Sequence, residues 1–307
     1  MSNAIRYFKA LSDETRLRLT YVLERYELSV NELVSILEMG QSRVSRHLKI
    51  LTEAGLLSSR RDGLWVFYSS VKEGEVAAFL KAAMPFLDED AEMRADVEMA
   101  ARIIEDRALK TRQFFNTIAE HWDTLSREVL GGFDLAGAVC DTMPEGCDTS
   151  VDLGCGTGME RMRGRARQII GVDGSPRMLE LSRRRLAGVE GEPEGVSLRI
   201  GELSHLPLRD CEADFASINM VLHHLSNPEN ALAEIRRVLR SGGLLVVADF
   251  DRHTQERMRL DYGDLWLGFD EATMARLLHA ASFEVVSTTR YPVEQGLALN
   301  LTLARRL

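Results

Sequence analysis

Two stretches constrain this chain more than any others: TSVDLGCGTG, residues 149–158, and QIIGVDGSP, residues 168–176. Each is an apolar, β-branched run that ends in a turn. The first ends on Gly154, Gly156 and Gly158, which let the backbone turn tightly and approach a ligand closely. The second ends on Asp173, a carboxylate placed to accept hydrogen bonds from a ribose diol. Ser175-Pro176 then supplies an N-cap and an N1 proline for the helix PRMLELSRRRLA. VSLRIGELSHLPLRD, ADFASINMVLHHL and SGGLLVVADF read as third, fourth and fifth strands. Asn227-Pro228 opens the intervening helix ENALAEIRRVLR, and Gly242-Gly243 is expected to end it. Strands and helices alternating at this spacing make a doubly wound α/β sheet, with ligands at the carboxyl ends of its strands.

That sheet occupies little more than half of 307 residues, so a second domain precedes it. Ser12, read as an N-cap, precedes DETRLRLTYVLERY. In SVNELVSILEM, Ser29 and Glu32 have capping-box spacing, and Leu33, Ile36 and Leu37 form one face. Gly40 breaks the chain before QSRVSRHLKILTEAG. Here Val44, Leu48 and Leu51 point inward, and Ser42, Arg46 and Lys49 point outward with Arg43 and Ser45 on the flanks. Gly55 suits the left-handed position that ends this helix. LLSSRRDGLWVFYSS then reads as a hairpin turning at Asp62-Gly63, with Arg60 and Arg61 beside the turn. Helix, helix, short turn, helix and basic hairpin is a winged helix-turn-helix.

The net charge of −9 argues against a general nucleic-acid coat protein, but the charge is unevenly placed. Between Gln41 and Arg61 five cations face Glu53 alone, a patch suited to specific docking on DNA. Gln41, Ser42, Arg43, Ser45, Arg46, Lys49, Arg60 and Arg61 are the expected DNA contacts. His47 borders the apolar stripe and serves packing or a phosphate contact rather than a ligand.

This N-terminal part resembles the ArsR-type winged-helix repressors, on SDETRLRL, ELSVNELVSIL and QSRVSRHLKILTEAGLLSSRRDGLWVFY. The resemblance covers about the first 80 residues. It implies a homodimer built from the first helix and the post-wing helix VKEGEVAAFLKAAMPFL. Metal-sensing members carry cysteines where this chain has Ser29 and Val30, and no cysteine occurs before Cys140. The metal sites of that family are therefore absent, and the signal enters elsewhere.

The expected organisation is a DNA-binding and dimerisation domain over 1–85, a helical connector and cofactor cap over 86–135, and the α/β domain over 136–307. The acidic run from Asp88 to Glu98 reads as a solvated helix surface. FFNTIAEHWD resembles the segment that caps the cofactor in many small-molecule methyltransferases; Phe115 and Trp122 either cover that site or pack between domains.

From about residue 112 onward the chain resembles the class I S-adenosylmethionine (SAM)-dependent methyltransferases. DLGCGTG, GVDGSPRML, GELSHLPL, NMVLHHL and EIRRVLRSGGLLVVADF occur in that family's order. The resemblance implies a seven-stranded Rossmann-like domain. It places Asp152, Gly154, Cys155, Gly156 and Gly158 at the methionine end of the ligand. Asp173, Gly174 and Met178 fall at the ribose, Glu202 and Leu203 at adenine, and Asn219 and Met220 at the sulfur. The family's helix after the glycine loop corresponds here to MERMRGRARQ, which is shorter and more basic.

Whole chains of this arrangement resemble repressors of methionine-cycle genes that respond to S-adenosylhomocysteine (SAH). The expected function is a dimeric cytoplasmic repressor that binds operator DNA and senses SAH, or SAM, with no metal and no membrane segment. The alternative is a small-molecule methyltransferase regulated by its winged helix, with His223 or His224 as a base or merely packed under the loop. A nucleic-acid methyltransferase is disfavoured, because NMVLHH stands where such enzymes carry Asn/Asp-Pro-Pro-Tyr/Phe.

Overall fold

The computed structural model describes residues 3–156, 159–187 and 195–307. The chain divides into two compact units, Met1–Arg107 and Ala108–Leu307.

In the first unit, α1 (Asn3–Leu11) and α2 (Glu14–Leu23) lead into a short β1 (Leu28–Ser29), α3 (Val30–Leu37) and α4 (Gln41–Glu53). The N-cap of α2 is Asp13, which accepts from the Arg16 N–H at 3.1 Å, and not Ser12. Ser12 is turned back to donate to the Lys9 carbonyl at the end of α1. The Ser29–Glu32 capping box forms at the start of α3. At the end of α4, Gly55 has φ 79°. The Leu56 N–H then reaches the Leu51 carbonyl at 3.0 Å and the Gly55 N–H reaches Thr52 at 2.9 Å, the two bonds of a Schellman end.

The wing is β2 (Leu57–Asp62) and β3 (Trp65–Ser70), with β1 completing a three-stranded antiparallel sheet in the order β1-β3-β2. The turn falls one residue later than expected, at Gly63-Leu64, because Asp62 pairs with Trp65 and its carboxylate is buried against Arg60. After α5 (Gly74–Ala83) comes α6 (Ala91–Ile118), and the boundary between the units lies within it. The acidic run from Asp88 to Glu98 is exposed, as expected, at every acid except Asp96. Asp96 is buried and takes both Nε and Nη2 of Arg18, at 2.6 and 2.7 Å, while Glu92 takes Nη1 and Asp88 accepts the Tyr21 hydroxyl. Arg18 on α2 draws Asp96 and Glu92 to it, a pairing that helix periodicity alone does not reveal.

The second unit continues with α7 (Trp122–Leu130), α8 (Leu135–Cys140), β4 (Cys147–Leu153), β5 (Ala166–Asp173), α9 (Pro176–Ala187), β6 (Val196–Ile200) and β7 (Ala213–Asn219). It ends with α10 (Pro228–Val238), β8 (Leu239–Phe250), α11 (Arg257–Asp261), α12 (Glu271–Ala280), β9 (Phe283–Pro292) and β10 (Ala298–Arg306). The seven strands order as β6-β5-β4-β7-β8-β10-β9, parallel except for β10, which runs antiparallel to both its neighbours. Strand order reverses between β4 and β7, which opens a crevice at their carboxyl ends. Val151, Leu153, Phe215, Ile218, Val246 and Val247 are fully buried, as parallel strands covered on both faces require.

Two expectations change. Gly242-Gly243 does not end α10, which stops at Val238; the pair lies inside β8, where the register with β7 shifts. The helix expected after the glycine loop is a single 3-10 turn, Met159–Met162, before β5 begins at Ala166. The side chains of Met159 and Met162 are buried in the core, which anchors this short connection. No helix among the described residues is long and apolar enough to cross a membrane.

Candidate functional site

In the first unit, α4 sorts its residues by period. Val44, Leu48 and Leu51 are fully buried, while Gln41, Ser42, Arg43, Ser45, Arg46 and Lys49 are exposed. Arg43 reaches the Thr15 hydroxyl at 3.4 Å, and Lys49 lies 3.8 Å from Glu53 at the surface, a pair worth little. His47 is buried 3.6 Å from Asp13, and burial lowers its pKa, so it packs as a neutral ring.

The wing's two arginines have different fates, because adjacent strand residues face opposite ways. Arg60 turns inward onto Glu27, at 2.9 and 3.2 Å, and onto Asp62 at 3.0 Å, with its guanidinium over the Phe67 ring. Arg61 is exposed. Arg60 thus braces the wing, and Arg61 is the wing cation presented outward.

In the second unit the predicted ligand residues gather at the carboxyl ends of β4, β5, β6 and β7. Asp152 is buried at the switch point, accepting from Ser217 Oγ at 2.6 Å and Asn219 Nδ2 at 3.3 Å. Burial pushes its pKa up to about 6, against the pull of the Ser217 hydrogen bond. Gly154 (φ 65°) passes so close to Val221 that a Cβ there would lie 2.5 Å from its methyl carbon. The N–H groups of Gly154 and Cys155 fold the loop back onto the Val172 carbonyl. Cys155 is buried and burial drives its thiol pKa far up, which leaves it inert.

Asp173 accepts the Gly156 N–H at 2.9 Å and the Ser175 N–H at 2.8 Å, so one carboxylate ties the loop to the start of α9. Burial raises its pKa as well. Met178 is buried beneath it, Gly174 faces the Glu202 carboxylate, and Leu203 is buried. Gly158 lies outside the described residues.

The segment 112–123 lies along this cleft and is held by four polar pairs: Arg112–Glu202 at 2.9 Å, Ser175–Asn116 at 2.6 Å, Arg177–Glu120 and Arg185–Asp123. Trp122 stands over the glycine loop, its indole nitrogen 3.8 Å from where a Cβ on Gly156 would lie. Phe115 packs edge-on against Trp122 and against His224.

Beside the cleft is a pocket whose walls include Trp122, Met220, Tyr262, His223, His224 and Asp264. Met220 enters it on a left-handed backbone, φ 57°. His223 and His224 sit in a 3-10 turn after β7. His223 Nδ1 bonds Asp249 at 2.7 Å, and its Nε2 lies 3.6 Å from Asp264. Burial opposes its charge, but the two carboxylates prevail and raise the pKa to about 9. His224 is neutral, its pKa well lowered by burial and by the charge of His223, with Nδ1 3.3 Å from the Gly263 carbonyl. Sequence reasoning named the two histidines but missed Asp249 and Asp264. An aspartate closing the apolar run LLVVADF at a strand's carboxyl end was the available signal for the first.

The comparisons with known proteins follow the same division. Residues 13–59 match the family model "Bacterial regulatory protein, arsR family", and residues 151–247 match "Methyltransferase domain". The arsenic resistance transcriptional regulator ArsR1 of Pseudomonas putida is 52% identical over 62 residues, covering 20% of this chain and 48% of that one. Demethylmenaquinone methyltransferase of Desulfitobacterium hafniense is 28% identical over 212 residues, covering 63% of this chain and 80% of that enzyme. A 37.1 kDa protein of transposon TN4556 from Streptomyces fradiae is 37% identical over 123 residues, of which the chain spans only 34% of the length. The chain thus spans less than half the length of two of these relatives. In structure, the [4+2]-cyclase SpnF superposes with TM-score 0.54 and 18% identity, over 64% of this chain and 94% of that one. The molecule therefore joins two classes of domain, an N-terminal region that matches the ArsR family model and a C-terminal methyltransferase fold. It is an ArsR-type helix-turn-helix region fused to a methyltransferase domain.

Proposed function

We propose that this chain is a dimeric DNA-binding repressor whose methyltransferase-fold domain senses SAH, and SAM more weakly, and releases operator DNA of methionine-cycle genes on binding. The observation that carries this reading is the coexistence, in one chain, of an exposed Ser/Arg/Lys face on α4 and a cleft with Asp152, Asp173 and Glu202 at its strand ends. The regulator's usual cysteine ligands are missing, so the cleft is the natural input. SAM and SAH differ by one methyl group and one charge, and an apolar wall near sulfur discriminates at about 1–3 kcal/mol. If SAH favours the state that does not bind DNA by that amount, operator affinity falls by the same factor. The helix α6 contributes Asp96 to the first unit and Arg112 to the second, and it carries that signal. Exposed Phe8 on α1 and Phe86 after α5 suit a self-association surface.

The test is fluorescence anisotropy on DNA from upstream of the protein's own gene, at fixed salt, with no ligand, with SAM and with SAH. SAH should weaken binding about tenfold or more and SAM much less. Tight DNA binding indifferent to both ligands would overturn the sensor. The second reading, methyl transfer to a small molecule, is favoured by the histidine-lined cavity beside the cleft. Transfer of a labelled methyl group to a small acceptor would establish it.

A further inference from the structure

We infer that His223, His224 and Asp264 form a site for one divalent transition-metal ion, of the zinc or ferrous class, open to the cavity beside the ligand cleft. The three side chains are buried, come from two separate segments, and bring one donor atom each within 4.8 Å of the others. The His223–Asp264 and His224–Asp264 separations, 3.6 and 3.8 Å, are too long for hydrogen bonds. They are close to what two donors on one ion show. Bonds of about 2.1 Å at a tetrahedral angle place ligand atoms about 3.4 Å apart, so Asp264 already stands near ligand spacing from both rings, while the two ring nitrogens, within 4.8 Å of each other, draw together on binding.

The second support is behind the ligand. Asp249 takes His223 Nδ1 at 2.7 Å, which fixes the ring and leaves Nε2 as the donor. Carboxylate–histidine–metal is the usual outer-shell arrangement. His224 ligates through Nδ1 with its proton moved to Nε2, and gives up only the 3.3 Å contact with the Gly263 carbonyl. On binding, the proton on His223 Nε2 leaves to solvent, since a ligating imidazole is neutral. All three ligands line the cavity, so the remaining coordination position faces it. Two histidines and one carboxylate with an open position suit a water or an anionic oxygen of a small molecule.

The experiment uses the full chain, stripped with a chelator that is then removed, dialysed against Zn²⁺ and assayed for bound metal. One ion per chain is expected, with affinity about 10–100-fold lower in Asp249→Asn and at least as much lower in Asp264→Asn and His224→Gln. Because variants at buried positions risk misfolding, the wild-type protein is also loaded with Co²⁺. A visible spectrum of nitrogen and oxygen ligands, without thiolate charge transfer, is expected, and it separates this site from the four cysteines. Substoichiometric zinc, equal binding by wild type and Asp264→Asn, or a thiolate spectrum would each overturn the inference.

Discussion

Each unit buries a cluster of opposite charges, and the two clusters are built differently. In the first unit Arg18 and Asp96 meet in a two-bonded pair at 2.6 and 2.7 Å, with Glu92 on the remaining nitrogen. Both partners stand on helices, α2 and α6, whose faces press together, and the pair is closed. In the second unit Asp249, near the carboxyl end of β8, meets His223 and Asp264 on connecting segments. There the side-chain bond from His223 Nδ1 to Asp249 is short, at 2.7 Å, Asp264 stands 3.6 Å from Nε2, and the group lines a cavity. Closed geometry serves the fold, whereas a buried charge group left open beside a cleft is where chemistry or a ligand belongs.

The comparison breaks most readily at the closed pair. Asp96→Ala strips Arg18 of its two-bonded partner and leaves it only the exposed Glu92, and should cost about 3–5 kcal/mol in urea unfolding. Arg18→Met combined with Asp96→Leu should recover most of it. A loss below about 1 kcal/mol for the single change would mean that water already reaches the pair.

Next in size is a pH effect in the second unit. Asp152 titrates at about 6 when folded, against 3.8 for an ordinary aspartate. The native state therefore holds more protons than the unfolded chain between those values. Stability should decline as pH rises through that window, by about 3 kcal/mol in all. Other carboxylates slope the opposite way, so the measurement is the difference between wild type and Asp152→Asn in denaturation curves from pH 4 to 7.

Asp173→Ala unties Gly156 and Ser175 and, on the proposed reading, removes the acceptor for the ribose. SAH affinity by calorimetry should fall by about 2–3 kcal/mol, while DNA affinity without ligand stays unchanged. Arg46→Ala should do the reverse, weakening operator binding by about 1–3 kcal/mol and sparing SAH. If either change damaged both activities, the two units would not be separate in function. Smallest is Asp264→Asn. It removes one of two carboxylates sharing a single imidazolium, and should cost under about 1 kcal/mol in thermal unfolding, far less than Asp96→Ala.

Much of this contrast was legible from local pattern. The burial of Val44, Leu48 and Leu51, the Ser29–Glu32 box and the left-handed Gly55 all follow from spacing within a few residues. So does the placement of Asp152 and Asp173 at strand ends. Other features were not legible. Nothing within α6 says that Asp96 will find Arg18, 78 residues away. The connection after the glycine loop is one 3-10 turn, with Met159 and Met162 buried in the core, because β5 begins already at Ala166 and leaves no length for a longer helix. Arg60 and Arg61 were read together as DNA contacts, although Glu27 claims only the first.

The amino-acid sequence by itself determined the two domain types, the helix faces, the caps and the parallel βα order, since these rest on periods of two and 3.6 residues and on short-range hydrogen bonds. Tertiary structure alone decided which charges were closed and which stayed open. Asp249 lies 26 residues from His223 in the chain, and only the folding of β8 beside β7 brings them to 2.7 Å. Burial then sets their protonation, because a charge withdrawn from water takes its state from the partners that the fold places around it.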